Sequence, residues 1–295
     1  MAIARSRGDK VLDGGIIALM VIITVCTLYP LWFVLIASFS NPTAISNGKV
    51  IFWPVGMNAS AYGKLFRTAK IWIGYRNSLL YTVFGTFINL LVTVSAGFAL
   101  SRKTLPGRRA LLVFFIITMY VSGGTIPSYL LMKSLGLLNT VWAILLPGAM
   151  SVYNMIIARS FFESSIPESI YESATIDGAG WLRCYTRFAI PLSKPMIAVL
   201  TLFFALGHWN SYFNAMIYIS NEKIQVLQVI IKQITANISS ALAESMTDAE
   251  MIKQVQEKQL LKYAVVVVSV VPMVLLYPFV QRYLIQGIMI GAVKG

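Results

Sequence analysis

Two short stretches hold the residues with chemistry to offer. From Ser165 to Pro195 the chain reads SSIPESIYESATIDGAGWLRCYTRFAIPLSKP, which sets Glu168, Glu172, Asp177, Arg183, Arg187 and Lys194 between two long apolar runs. A charged connection of that length is expected to carry structure and a task of its own. The second stretch, Trp209-Asn210-x-Tyr212-x-Asn214, alternates large aromatics with amides at the end of an apolar run. Aromatic faces stack on sugar rings and amides bond their hydroxyls, while an aromatic belt at a membrane interface is the competing account. On a continuous helix Asn210 and Asn214 share one face, with Trp209 and Tyr212 on an adjacent one.

Other chemistries are missing. The single histidine, His208, leaves no partner for a His-based zinc site or triad. Cys26 lies in an apolar run and Cys184 in the charged connection, which suggests neither a disulfide framework nor a metal site. No Walker A, HExxH or GxSxG pattern occurs, so nucleotide hydrolysis must come from another polypeptide. Every acid lies outside the centres of the apolar runs, whereas a proton- or sodium-driven carrier normally holds a carboxylate in mid-membrane.

Local chemistry over Ser165–Pro195 predicts helix, sharp turn, helix. Ser165 and Glu168 have capping-box spacing, with Pro167 tolerated in the first turn of a helix from about Ile166. That helix puts Ile170 and Ala174 on one face and Glu168 and Glu172 on a neighbouring one. Asp177-Gly178 stops it, because glycine takes the left-handed C-terminal geometry without steric cost. Trp181 to Phe188 forms a second short helix ended by Pro191, and Pro195 sits in the first turn of the next apolar run. An amphipathic connector lying on the membrane surface is the alternative.

The elements around these stretches follow from composition. The 295 residues are 57% apolar and 12% charged, against about 25% charged in soluble domains. The net charge of +13 comes from basic residues that flank apolar runs and do not interleave with aromatics, which favours anionic lipid over nucleic acid. Charge-free gaps of about 20 residues or more predict an all-α integral membrane domain over 1–295. Its six transmembrane helices fall near 14–38, 77–101, 110–132, 138–160, 195–219 and 263–283, with a cytoplasmic helix-turn-helix at 161–194. The first apolar run continues past the roughly 7–15 residues of a signal-peptide core, so a retained span is expected.

Arg5, Arg7 and Lys10, then Arg102, Lys103, Arg108 and Arg109, place both flanks in the cytoplasm, with both termini inside. Segments 39–72 and 220–258 are then external. The first carries Trp53-Pro54, Gly56 and Tyr62, and its aromatics serve as interfacial anchors. The second has a capping box at Thr247 and Glu250, and is either a solvated connector or a docking surface for an external protein. Asn89 and Asn154, inside apolar runs, either tie helices together or line a path. Gly123-Gly124-x-x-Pro127 breaks or kinks the third span.

Glu172-Ser173-Ala174-x-x-Asp177-Gly178-Ala179, with Pro191-Leu192 thirteen residues after Gly178, resembles the EAA loop of membrane subunits of binding-protein-dependent ABC importers. Ser173 stands where that motif usually has alanine. The likeness extends over most of the chain and is similar to the smaller permease of carbohydrate importers, in the maltose-permease class. Within it the chain resembles the group associated with oligosaccharides, aldouronates and alginate-type uronides. Tyr29-Pro30, Asn77-Ser78, Gly123-Gly124-Thr125-Ile126-Pro127, Trp209-Asn210 and the tail Gly287-Ile288-Met289-Ile290-Gly291-Ala292-Val293-Lys294-Gly295 carry that narrower match.

The resemblance implies a non-catalytic permease of a bacterial inner membrane that works by alternating access. It implies a second homologous permease, two ATPase subunits that hold ATP and magnesium, and an extracytoplasmic sugar-binding protein. Glu172, Ser173, Ala174, Asp177, Gly178, Ala179 and Pro191 would then couple to the ATPase, with Glu172 paired to one of its basic residues. Trp209, Asn210, Tyr212 and Asn214 would line the path of an oligosaccharide. A permease for a non-sugar solute is the alternative, followed by a membrane enzyme or scaffold that acts without an ATPase.

Overall fold

Three apolar runs become helices long and apolar enough to cross a membrane, over Gly8–Ser38, Ala69–Ser101 and Lys258–Pro278. They belong to α1 (Arg7–Ser38), α4 (Ala69–Ser101) and α15 (Ala249–Ala292). The computed structural model describes residues 7–244 and 249–292, and among them the regular elements are all helical. Helix α4 starts eight residues before the expected Asn77 and carries Lys70 and Arg76 in its first turns. At 1.5 Å per residue its 33 residues span about 50 Å, against about 30 Å of hydrocarbon. Gaps between charges find what lipid can hold, not where a helix ends.

The remaining apolar runs are broken. α5 (Arg108–Tyr120) and α6 (Thr125–Ser134) meet at 113° across Gly123-Gly124. The predicted span at 138–160 is two helices, α7 (Trp142–Leu145) and α8 (Val152–Ser164), interrupted at Pro147-Gly148. The predicted span at 195–219 is α12 (Lys194–Trp209) and α13 (Phe213–Tyr218), parted at Asn210. Among the described residues three helices pass as spans by length and composition, or five at most when the bent pair α5–α6 and the pair formed by residues 181–192 with α12 each count as one. Pro147 has no N–H to donate, and the Asn210 amide bonds Leu206 O at 3.0 Å, so side-chain chemistry ends both helices where apolar counting continues them.

The chain divides into two compact units, Met1–Thr68 with Ile231–Val270, and Ala69–Ile230 with Val271–Gly295. In the first, Asn41 caps α2 (Pro42–Ser46) by accepting from Thr43 N–H at 2.9 Å, and the following loop returns to α1. Trp32 Nε1–H donates to Phe52 O at 2.9 Å, and Trp32 meets Trp53 edge-on. Tyr62 of α3 (Ser60–Arg67) stacks on Phe39 at 4.8 Å. Thr247 of the predicted capping box, and Val293-Lys294-Gly295 of the tail, lie outside the described residues.

The second unit is built on α4, against which α8 and α12 pack. A methyl on Gly97 would sit 2.8 Å from Ala158 Cβ, so α8 approaches only because glycine is there. The N-terminal turns of α4 hold the chain that follows α13. Asn77 Nδ2 donates to Lys223 O at 2.9 Å and Gln225 O at 3.0 Å, Tyr81 donates to Ile224 O at 2.9 Å, and Ser78 Oγ accepts from Leu227 N–H at 2.9 Å. Leu227 opens α14 (Leu227–Glu244).

Candidate functional site

The charged connection folds as helix, turn, helix, with different ends from those expected. α9 runs Glu168–Ile176 and begins after Pro167, not at Ile166. Ser165 instead closes α8 through its N–H to Phe161 O, so no capping box forms. The residue before a proline is held extended, which keeps the helix from starting earlier. At the other end Ala179 N–H bonds Ala174 O at 2.8 Å and Gly178 N–H bonds Thr175 O at 3.0 Å. This is a Schellman turn, with Gly178 at φ +77°. The second helix passes through Pro191: α10 (Trp181–Cys184), a π-helical turn (Tyr185–Ala189) and α11 (Ile190–Leu192) run on to Ser193. The wider π turn takes the proline ring that an α-turn would reject. The chain then bends by 82° into α12.

One side of this unit is core. Tyr171, Ala174, Cys184 and Ala189 are buried with Phe98 of α4, Ala158 and Phe162 of α8, and Leu200 of α12. Ile170 and Ala179 pack against the same cluster. Those contacts fix the unit to three helices, which a connector resting on lipid would not show. The other side is open. Glu172, Ser173, Asp177, Gly178 and Pro191 are exposed, and so are Ile176, Trp181 and Leu182. The open side thus carries apolar side chains and carboxylates at a rigid turn, with Arg183 and Arg187 exposed in the same unit.

The C-terminal end of α4 meets α9 through a cation. Arg102, which follows α4 directly, places its guanidinium 4.0 Å above the Tyr171 ring and 5.2 Å from that of Phe98. Its Nη1 lies 3.6 Å from Glu168 Oε1. Burial raises the Tyr171 phenol above its usual range despite Arg102, so the ring faces the cation uncharged. Sequence reasoning used Arg102 only for orientation and passed over Tyr171. The Tyr171–Ala174 spacing of three was the available signal for the buried face.

The amide-aromatic stretch does not form one helical face. Trp209 is 2% exposed and meets Tyr75 edge-on at 5.6 Å, which makes it core. Asn210 is exposed but tied to Leu206 O, while Tyr212 is exposed and Asn214 partly so. The break at 210–212 puts Asn210 and Asn214 on different helices.

A second polar cluster joins Asn89, one of the two amides expected to tie helices or line a path, to His208, which the sequence did not link to it. Asn89 Nδ2 donates to Gly148 O at the α7–α8 break, and Asn89 Oδ1 accepts from His208 Nε2 at 2.6 Å. The His208 ring lies against Gly85, where any Cβ would collide with it. Asn89 thus ties helices together, satisfying a carbonyl freed by the break. His208 showed no partner in sequence because its partner is an amide 119 residues away.

The family described as binding-protein-dependent transport system inner membrane component matches residues 68–290. This chain belongs to that family. It is a transporter's membrane subunit with the family's all-α permease fold. YtcP of Bacillus subtilis (strain 168), a polygalacturonan/rhamnogalacturonan transport system permease protein, is 36% identical over 94% of this chain and 96% of its own length. Protein LplC of the same strain is 35% identical over 91% and 90%. A crystal structure of a bacterial ABC transporter involved in the import of the acidic polysaccharide alginate contains a chain of TM-score 0.85 and 33% identity, covering 96% of this permease and 99% of that chain.

Proposed function

We propose that this permease forms half of the translocation path of an ATP-driven oligosaccharide importer, with α9–α11 as the element that receives the ATPase. The observation that carries the proposal is the two-sided α9 unit: one side is locked into α4, α8 and α12. The other presents Glu172 beside exposed Ile176, Trp181 and Leu182. A rigid body of that kind passes on a push that a flexible loop would absorb. Two ATPases would hold ATP and magnesium, a second permease would complete the path, and an external binding protein would deliver the solute. Both termini, Arg102–Arg109 and the α9 unit would face the cytoplasm. The names of YtcP and of the alginate importer support a saccharide, and put uronate-containing oligomers first.

The test is uptake by proteoliposomes holding the permease, its companion and their ATPases, supplied with the binding protein. The panel is oligogalacturonate, alginate oligomers, malto-oligosaccharide and an amino acid. ATP-dependent accumulation of a saccharide is expected, and accumulation of the amino acid alone would favour the non-sugar alternative. Labelling from outside should modify Ser240→Cys and spare Pro106→Cys; the reverse would overturn the topology. Asn214, half-buried in the first turn of α13, remains the path candidate together with the exposed Asn210 and Tyr212. Loss of one neutral hydrogen bond costs about 0.5–1.5 kcal/mol, so Asn214→Ala should weaken uptake several-fold. A lower melting temperature with unchanged uptake per folded complex would remove Asn214 from the path.

A further inference from the structure

Arg102 is an uncommon tenant for its site. Its side chain is 5% exposed, and neither Nη1 nor Nη2 has a hydrogen-bond partner among the described residues. An apolar side chain of the same length would fill such a site at least as stably, so packing alone does not account for a cation there. What the guanidinium does have is two partners on one short helix, the Tyr171 ring beneath it and the Glu168 carboxylate beside it.

We propose that Arg102 is a positioning residue that ties α9 to the end of α4, so that displacement of α9 reaches α4 directly as well as through α10–α12. The tie rests on the importer reading of α9 given above. Its form suits a moving contact. Attraction to a ring face falls off gently with sideways shift, unlike a hydrogen bond. The ion pair, at 3.6 Å, sits just beyond hydrogen-bond length, and Glu168 is half exposed, so a change of its rotamer lets it follow. On the α4 side the stem is fixed: Arg102 Nε donates to Ser101 Oγ at 3.0 Å, and Arg108 Nε closes the helix end by donating to Leu100 O at 2.7 Å. α4 is also the helix on which α8 and α12 pack, through Gly97 and Gly85. A push delivered at Arg102 therefore arrives at the centre of the unit.

The experiment uses the assembled transporter with spin labels at Lys103→Cys and Ser169→Cys, both exposed, in a Cys26→Ser background. Distances are read without nucleotide and with MgATP and vanadate. With Arg102 present the 103–169 distribution should be narrow and the same in both conditions. Arg102→Met should broaden it and lower the saccharide accumulated per ATP hydrolysed by about tenfold, with the saccharide taken from the uptake panel above. Arg102→Lys should restore part of the ratio, because an ammonium still sits over the ring. Tyr171→Phe should leave it unchanged, since the hydroxyl has no hydrogen-bond partner and the ring is retained. A narrow distribution and an unchanged ratio in Arg102→Met would overturn the tie. Should that variant not assemble, Glu168→Gln decides: a ratio lowered about twofold supports the tie and an unchanged ratio overturns it. An unaltered chain that binds no ATPase counts against the importer reading, while the nucleotide-free distance still tests the tie.

Discussion

The two ends of α4 are held in opposite ways. At the Asn77 end, neutral side chains bond backbone groups of residues 223–227 at 2.9–3.0 Å, and Lys70 Nζ donates to Glu222 Oε1 at 2.6 Å. Such bonds are directional and allow one register. At the Arg102 end the hold is apolar burial around Phe98 and Tyr171, a cation over a ring and a long ion pair. Those contacts tolerate small displacements without breaking. One helix thus has a clamped end and a yielding end, and the yielding end is the one beside α9.

The largest effect is expected between the ends. Gly97→Val drives two methyls into Ala158 and into backbone atoms of Met155 and Arg159 that cannot withdraw. Overpacking of this kind costs about 1–3 kcal/mol or more. The yield of folded permease in detergent should collapse, and near-normal yield would show that α8 is held less closely than the Gly97 contact implies. Next comes the turn beside the yielding end. Gly178 has open space around it, so Gly178→Val acts through backbone strain at φ +77° alone, about 1–3 kcal/mol. Normal membrane insertion with lost ATPase association is expected. Gly178→Asn should be milder because asparagine tolerates that conformation.

At the clamped end, Asn77→Leu keeps the branched shape and leaves the carbonyls of Lys223 and Gln225 unpaired, each at a cost of about 1–3 kcal/mol. The melting temperature should fall while solute moved per ATP in the surviving complexes stays constant. A changed ratio would abolish the distinction between the two ends. The smallest effect is reserved for Glu172→Ala. Its side chain is exposed, so stability should be unaltered and ATPase association weakened only modestly, by the loss of one charge pair.

Sequence alone determined the class and most of the chemistry of the α9 unit. Runs of apolar residues free of charge have no stable place except in lipid or deep in a core, and that rule needs no tertiary information. The Asp177-Gly178 stop was equally local, because only the backbone of that turn decides which residue suits it. Tertiary structure decided the rest. α1 and α4 are of nearly equal length and both strongly apolar, yet 6% of the first's most apolar window is buried and 44% of the second's. What separates them is where Asn77, Asn89 and Gly97 find partners, and those partners lie 59 to 148 residues away in the cases of Asn77 and Asn89. The breaks after Leu145 and Trp209 depended likewise on side chains ending a helix inside an apolar run. Arg102 shows the limit most clearly. Its charge entered the expected orientation, but its burial under α9 is a product of packing, which no count of charges along the chain contains.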